Sequence, residues 1–419
     1  MQNPARRAGR TEPPDRAVDP HRRLRALCAA LIVGSLVACA GAPGPYPQSP
    51  TDTASAPPGA TAGSTASPAD TAPLPPALQR GQSRWLPVRW AELPGWGQDR
   101  LHEAWNAWLK SCERPVPAGP PGQAALCTEV RQLAIGTAEQ QQAWVMQRFQ
   151  PYRVLAADGS TPAGLLTGYY EPILPASRVA TARHRVPLYA PPAGLATAAG
   201  GSPWFSRQQI DTLPAAQAAL RGRALAWLED PLDALVLHIQ GSGRLQLTEP
   251  DGRERSVRLA FAGHNGHPYR SVARWLLDQG AIREGTWDAI RAWADANPGR
   301  VNELLWSNPR TVFFREEPLS PLDAQFGPRG AQGVPLTPGR SIAVDPQSIP
   351  YGTPVWLATP GPTLSAQRLV LAQDTGSAIV GAARADYFTG WGRFTDPAYT
   401  LAAGIKQPLQ LWVLWPRQP

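Results

Sequence analysis

Three aspartates near the C-terminal end of the sequence are candidates for acid–base chemistry. Asp345 and Asp374 each follow an apolar run and enter a turn, where a carboxylate accepts hydrogen bonds from backbone N–H groups and stays ionised. Asp386 is followed by Tyr387 and Phe388, and aromatic neighbours remove water from a carboxyl and raise its pKa. Such an acid keeps its proton at neutral pH and can act as a general acid. A solvated loop acid beside core aromatics is the alternative for Asp386.

The stretch Asp374-Thr-Gly-Ser also has the local pattern of an aspartic protease. That chemistry needs two carboxylates sharing one proton, from two such turns or from a homodimer that supplies one each. This chain has one such turn, and Gln373 stands where the protease strand is normally apolar. The pattern therefore does not favour proteolysis.

Two other local patterns are weak. His264 and His267 are spaced like zinc ligands, but the segment HNGHP contains turn-forming residues and no acidic third ligand, which favours turn histidines that bond to the backbone. Ser242, in Gly-Ser-Gly, lacks the spacing of a nucleophile elbow and is more simply a tight bend. The sequence predicts no metal and no cofactor.

The elements that must position the aspartates are strands and short helices. Apolar positions at helical spacing predict an N-terminal helical section that includes Trp105 and Trp144. Runs bounded by Gly and Pro predict strands at 235–240, 256–263, 354–358, 368–373 and 409–414. Helices are predicted around 206–220, 270–279, 286–296 and 300–306, with Thr286 as an N-cap and Gly280 at a C-terminus. The expected fold is mainly β with flanking helices.

The N-terminal segment predicts export. A basic region at 21–25 precedes an apolar run at 27–38 that is too short to span a bilayer, so residues 1–38 are predicted to be a signal peptide. It ends in Leu-Val-Ala-Cys, which resembles a bacterial lipobox with lipid attachment at Cys39. A plain signal peptide with an incidental Cys is the alternative. Residues 39–84, rich in Pro, Ala, Thr and Ser, are predicted to be a flexible tether.

The charge distribution bears on binding to nucleic acid, and the cysteines bear on disulfide formation. The formal net charge is +8, but the arginines are scattered and form no stripe with interleaved aromatics, so nucleic acid is not an expected partner. Cys112 and Cys127 remain in the mature chain, and export permits either a disulfide between them or two buried free thiols.

Several segments, taken in order, resemble the membrane-bound lytic murein transglycosylase A family of bacterial outer-membrane lipoproteins. They are TGYYEP at 167–172, QGSG at 240–243, AGHNGHPYRS at 262–271, VFF at 312–314 and the three aspartates. The similarity extends over about 250 residues and is far broader than a single motif.

The resemblance implies a double-psi β-barrel formed by residues 85–171 and 319–419. A second β domain, 172–318, is inserted between them, and the groove between the domains holds glycan. This brings Tyr169 and Tyr170 to the aspartates. The location implied is the outer membrane, lipid-anchored and facing the periplasm. The partners implied are peptidoglycan strands, with other cell-wall enzymes left open.

The resemblance also implies a reaction: non-hydrolytic cleavage of the β-1,4 bond between N-acetylmuramic acid and N-acetylglucosamine. Asp386 matches the family's catalytic acid, which protonates the glycosidic oxygen and then takes the proton of the muramic C6 hydroxyl, closing a 1,6-anhydro ring. Asp374 is assigned to the active-site wall, where its negative charge helps to keep the proton on Asp386. Asp345 is assigned to barrel structure.

The substrate-binding residues expected on the same basis are Thr167, Tyr169, Tyr170, Gln240, Ser242, Gly243 and Trp391. Tyr169, Tyr170 and Trp391 are expected to stack on sugar faces. Gln240, Ser242 and Gly243 are expected to form hydrogen bonds with acetamido groups, and a purely structural turn is the alternative for them. Two alternatives stay open: a hydrolytic, muramidase-like glycosidase in which Asp374 helps a water molecule, and a non-catalytic lipoprotein that binds peptidoglycan.

Overall fold

Strands dominate the computed structural model, which describes residues 73–195 and 202–417. In chain order the strands are β1 Leu78–Arg80, β2 Ser83–Pro87, β3 Phe149–Ala156, β4 Leu165–Ser177, β5 Val186–Tyr189, β6 Ala224–Leu228, β7 Gly243–Thr248, β8 Glu254–His264, β9 Val312–Pro318, β10 Ser341–Val344, β11 Pro354–Pro360, β12 Ser365–Asp374, β13 Arg384–Gly392, β14 Lys406–Pro408 and β15 Gln410–Pro416. The prediction of a mainly β fold with flanking helices is confirmed.

The helices are short and lie mostly between the strands. They are α1 Leu101–Ser111, α2 Gln123–Gln132, α3 Ala138–Arg148, α4 Arg207–Thr212, α5 Pro214–Ala219, α6 Pro231–Gln240, α7 Val272–Asp278, α8 Trp287–Ala296, α9 Val301–Ser307 and α10 Pro397–Gly404. The Thr286 side chain accepts a hydrogen bond from the backbone N–H of Ala289, as an N-cap does. The helix predicted around 206–220 is two helices, because Pro214 cannot donate a backbone hydrogen bond and starts α5 anew.

The strand predicted at 235–240 is wrong, because these residues form the end of helix α6. The flanking residues explain the difference. Asp230 accepts a hydrogen bond from the N–H of Leu232, Pro231 occupies the first turn, and Gly241 ends the helix in the left-handed region at φ 81°. A short apolar run fits a buried helix as well as a strand, and here the caps decide.

Folded structure begins earlier than predicted. β1 and the start of β2 form a hairpin within residues 39–84, the range predicted to be a tether. β2 pairs with β3, which buries Trp85 and joins the hairpin to the main sheet. The signal peptide, Cys39 and most of the tether lie outside the described residues.

The sheet is mixed, with parallel and antiparallel neighbours. Hydrogen bonding follows the order β1-β2-β3-β15-β11-β12-β10-β13-β4-β7-β8-β9, and the pairs β10/β12, β13/β4 and β4/β7 are parallel. β4 changes partners between Pro172 and Ile173: its first part pairs with β13, and its second part pairs with β7. This change lies one residue after the predicted boundary between the two domains, which is between 171 and 172. The division into 85–171 plus 319–419 and 172–318, like the double-psi order of the strands, stays a prediction.

Alternation along the strands builds a core on each face of the sheet. In β12, Val370 and Ala372 belong to one core, while Leu369 and Leu371 pack with the tryptophans of α1 and α3 in the other. Trp85 in β2 and Leu166 in β4 share the first core although their strands are far apart in the sheet order, so the sheet curves around that core.

A disulfide joins Cys112 and Cys127, which settles the choice that the sequence left open. It connects the residue that follows α1 to α2.

Candidate active site

Two of the three aspartates lie in one row across the sheet. Ala343 in β10 is paired with Asp374 in β12 on one side and with Asp386 in β13 on the other, and Asp386 is paired with Thr167 in β4. Paired residues on neighbouring strands point to the same face, so both carboxyls face one side of the sheet. Their Cα atoms are two strand spacings apart, roughly 10 Å.

Asp386 is partly buried and lies in a short chain of hydrogen bonds. The Thr167 hydroxyl donates to Oδ1 of Asp386 at 2.7 Å, and Nη2 of Arg384 donates to the Thr167 hydroxyl at 2.8 Å. Burial raises the pKa of Asp386, while the Thr167 hydrogen bond and the positive charge of Arg384 lower it. Because burial is the largest of these effects, the protonated form is favoured relative to an aspartate in water.

Asp374 is held by donors from two different segments. The Tyr169 hydroxyl donates to Oδ2 at 2.9 Å, and the backbone N–H of Ala331 donates to Oδ1 at 2.9 Å. Burial, with a smaller contribution from the negative charge of Asp386, raises the pKa of Asp374 to about 6, against the lowering effect of these hydrogen bonds.

The prediction that the ring of Tyr387 removes water from Asp386 is wrong. The side chain of Tyr387 lies in the first core and its hydroxyl donates to the carbonyl oxygen of Gly339, because neighbouring residues in a strand face opposite sides. Phe388, one residue further, is on the same side as Asp386 and lines the same cavity. Burial in the fold, rather than the adjacent aromatic ring in the sequence, desolvates the acid.

Asp345 lies outside this row, and its carboxylate accepts hydrogen bonds from backbone N–H groups. It is buried directly after β10, where its carboxylate accepts from the N–H of Gln347 at 2.9 Å and from that of Gly381 at 2.8 Å. It thereby ties the turn after β10 to the loop that precedes β13, a geometry that suits the structural role predicted for it.

A cavity of about 690 Å³ lies over the row of acids. It is lined by predicted residues from distant parts of the chain: Tyr169, Tyr170, Gln240, Ser242, Asp374 and Asp386. Thr167 reaches the cavity through its hydrogen bond to Asp386. The fold thus brings together most of the residues that the sequence singled out.

Three of the predicted substrate contacts differ from expectation. Tyr170 is only 4% exposed and packs against Tyr399, so little of its ring is open to a sugar. Gly243 is buried in β7, where a Cβ would come within 2.3 Å of Leu237, so this glycine is needed for packing. Trp391 lies outside the cavity lining, with the guanidinium of Arg244 4.1 Å from its ring centre.

The structure also brings in residues that sequence reasoning missed. Arg114, Arg310 and Arg329 line the cavity, and they come from the segment after α1, from the residues before β9 and from the loop before β10. No local pattern marks them, because each lies among ordinary turn residues. Only the tertiary fold could reveal them.

The two histidines with zinc-like spacing form hydrogen bonds with backbone groups. Nδ1 of His264 accepts from the N–H of Gly266 at 2.9 Å, and Nε2 of His267 lies 2.8 Å from the carbonyl oxygen of Trp204. Across residues 73–195 and 202–417, no group of three or more His, Cys, Asp or Glu side chains is arranged to hold a metal ion.

Over the same ranges, no helix has the length and apolarity to cross a bilayer.

Comparison with known proteins identifies the family. Residues 165–315 match the model of the MltA specific insert domain, and residues 340–415 match the model of the 3D domain. The chain is 42% identical to a lytic transglycosylase, LtgG, of Burkholderia pseudomallei, over 82% of this chain and 98% of that one, with a TM-score of 0.53. The chain belongs to the membrane-bound lytic murein transglycosylase A (MltA) family.

Similarity to other MltA-family proteins supports the same family assignment. The membrane-bound lytic murein transglycosylase of Agrobacterium tumefaciens is 30% identical, with 80% of this chain and 98% of that chain covered and a TM-score of 0.65. Membrane-bound lytic murein transglycosylase A of Vibrio cholerae is 30% identical over 262 residues, which are 58% of this chain and 66% of the relative. The chain thus matches just under two thirds of that relative's length. The matched 3D domain contains Asp345, Asp374 and Asp386.

Proposed function

We propose that the protein is a peptidoglycan lytic transglycosylase. It would cleave the β-1,4 bond between N-acetylmuramic acid and N-acetylglucosamine and leave a 1,6-anhydromuramic end. The observation that carries the proposal is the partly buried, hydrogen-bonded Asp386 in the lining of a large cavity, within a chain of the MltA family.

In the first step, protonated Asp386 donates its proton to the glycosidic oxygen as the bond from that oxygen to the muramic C1 breaks. The N-acetylglucosamine unit leaves as an alcohol, and positive charge develops at the muramic C1. The Thr167 hydroxyl holds the carboxyl in place and bonds to the carboxylate that forms.

In the second step, the Asp386 carboxylate takes the proton of the muramic C6 hydroxyl. The C6 oxygen attacks C1 and closes the anhydro ring, which returns Asp386 to its protonated state. The nucleophile belongs to the substrate, so proximity replaces a base that activates water. Asp374 supplies a second, partly ionised carboxylate on the same face, which suits stabilisation of the positive charge at C1.

Asp386 is the acid in this proposal because its position matches the family's acid. Asp374 was expected to keep the proton on Asp386, whereas the pKa of Asp374 itself is raised by the charge of Asp386. Burial raises the pKa of Asp386, which favours the protonated form that the first step requires.

The test is digestion of purified sacculi in water enriched in oxygen-18, followed by mass spectrometry of the muropeptides. A lytic reaction gives muramic ends that are lighter by one water and carry no label. Labelled reducing ends would mean that water is the nucleophile and would establish the hydrolytic alternative. Binding to sacculi without any release of muropeptides would support the non-catalytic alternative.

The location is a second part of the proposal. The lipobox at Cys39 and the description of several relatives as membrane-bound support a lipid anchor in the outer membrane, with the enzyme facing the periplasm. Cys39→Ala should move the protein from the membrane fraction to the soluble periplasmic fraction. Unchanged fractionation would contradict lipidation at this residue.

A further inference from the structure

In the part of the chain that the structure describes, two arginines that line the cavity have no carboxylate partner. Arg114 and Arg329 both line the cavity and both side chains are exposed to it. Nη1 of Arg329 donates to the carbonyl oxygen of Gly333 at 3.1 Å, and Nη1 of Arg114 lies 2.8 Å from the point that a Cβ on Gly333 would occupy. Within residues 73–195 and 202–417, neither guanidinium forms an ion pair, so two positive charges adjoin one glycine.

Hydrogen bonds of the fold fix the backbone from which these two side chains extend. The side-chain amide of buried Gln332 donates to the carbonyl oxygens of Ser111 and Arg114, each at 3.1 Å. The Ser111 hydroxyl donates back to the Gln332 amide oxygen at 3.1 Å. These bonds fix the backbone of Arg114 to the loop that carries Arg329, and the disulfide at Cys112 restrains the same segment.

The loop that carries Arg329 also contacts Asp374. Ala331, two residues after Arg329, donates its N–H to Asp374. The arginine pair therefore lies at the loop that bonds to the row of acids, next to which the proposed function would put the muramic acid unit. The remaining carboxylate in the lining, Glu317, is already paired with Arg315 at 2.8 Å.

Two like charges close together, with no counter-charge paired to them among the described residues, repel each other and favour binding of an anion. A guanidinium presents paired N–H donors that match the two oxygens of a carboxylate. Peptidoglycan carries carboxylates beside the scissile bond, either the free lactyl group of a peptide-free muramic acid or the acidic groups of a stem peptide. Chitin-type oligosaccharides carry neither.

We propose that Arg114 and Arg329 form a carboxylate-binding subsite that makes the cavity prefer acid-bearing muramyl glycans over uncharged glycans. This inference rests on the proposed function, because it names the feature of peptidoglycan that the site selects. Arg114 and Arg329 are specificity residues in this proposal and take no part in bond cleavage.

The experiment measures dissociation constants by calorimetry in an Asp386→Asn background, so that no substrate is consumed. The ligands are peptide-free muramyl oligosaccharides, the same oligosaccharides with stem peptides, and a chitooligosaccharide of equal length. The measured quantity is the affinity for each muramyl ligand relative to that for the chitooligosaccharide. Arg114→Gln/Arg329→Gln should lower this ratio at least about fivefold and weaken its dependence on salt.

Arg283→Gln is the matched control, because it removes an exposed arginine outside the cavity lining, and it should keep the ratio of the parent protein. A lower ratio with the peptide-free ligand identifies the lactyl carboxylate, and a lower ratio only with the peptide-bearing ligand identifies a stem carboxylate; both support the subsite. A ratio in the double variant equal to that of the control overturns it. Because the readout is binding, sacculus products with reducing ends would defeat the proposed reaction and leave this subsite standing.

Discussion

At the scale of single residues, the proposed chemistry depends on the protonation state of Asp386. Its Oδ1 accepts a hydrogen bond from Thr167 that lowers its pKa, so Thr167→Val should raise the pKa of Asp386. Activity requires the protonated acid and is lost as the pH rises through that pKa. The basic limb of the profile of kcat/KM against pH should therefore move to higher pH in the variant, with a lower maximum because the carboxyl is less well held.

Thr363→Val is the control for this prediction, since the Thr363 hydroxyl donates to the carbonyl oxygen of Gly404 and touches neither acid. Its profile should overlay that of the wild type. A basic limb that stays in place in Thr167→Val, or moves to lower pH, would show that this hydrogen bond does not control the proton of the catalytic acid.

The sequence indicated some of these residues and not others, for a physical reason. Asp374 and Asp386 lie at strand ends or in strands with distinctive neighbours, so a local pattern marks them. Arg114 shares no pattern with them, because its place in the cavity depends on Gln332, more than two hundred residues away. The face of Tyr387 was mistaken for a similar reason: sequence proximity to Asp386 does not tell which side of the strand a ring occupies.

At the scale of elements, a buried ion cluster joins the strands to the segment that precedes β10. Glu171 in β4 is fully buried and accepts hydrogen bonds from Arg244 in β7 and Arg258 in β8, at 2.7 and 2.6 Å. Both arginines also donate to the carbonyl oxygen of Phe326. The cluster therefore anchors the start of the segment whose later residues bond to Asp374.

Glu171→Ala should lower the free energy of unfolding by about 3–5 kcal/mol, because it leaves two buried guanidinium groups without a counter-charge. Chemical denaturation monitored by tryptophan fluorescence measures the change. Glu229→Ala, which removes the partner of exposed Arg183, should cost less than about 1 kcal/mol. Equal losses in the two variants would refute the importance assigned to the buried cluster.

Several strands could be located from their apolar runs, but a short run alone did not distinguish a strand from a helix. The strands at 256–263, 354–358 and 368–373 were found from such runs and lie within β8, β11 and β12. The run at 235–240 was misassigned because its caps, Asp230 and Gly241, lie outside the apolar stretch. The short hairpin β1–β2 was missed because its stability comes from pairing with β3, a contact that no local pattern reveals.

At the scale of the whole molecule, the fold brings the N-terminal helical segment to the cavity through Arg114, and the disulfide strengthens that connection. Cys112 and Cys127 are 15 residues apart, so the chain-entropy argument gives about 3 kcal/mol of stabilisation from closing this loop. Cys112→Ala/Cys127→Ala should lower the denaturation midpoint under oxidising conditions and should match the wild type once both proteins are reduced. An oxidised wild type as stable as the double variant would contradict this.

The sequence order of the motifs pointed to the family, and the family models and relatives confirm that identification. What the sequence could not supply is the register across β12, β10, β13 and β4 that places Asp374, Ala343, Asp386 and Thr167 in one row. That register depends on strand pairings between residues as far as 219 positions apart.

The most direct test of the central claim is the yield of 1,6-anhydromuramic ends from sacculi treated with wild type, Asp386→Asn and Asp374→Asn under identical conditions. The account predicts that Asp386→Asn yields essentially no anhydro ends while its binding to sacculi persists, and that Asp374→Asn retains a reduced but measurable yield. Anhydro ends formed by Asp386→Asn at the wild-type rate would contradict the assignment of this side chain as the acid and base.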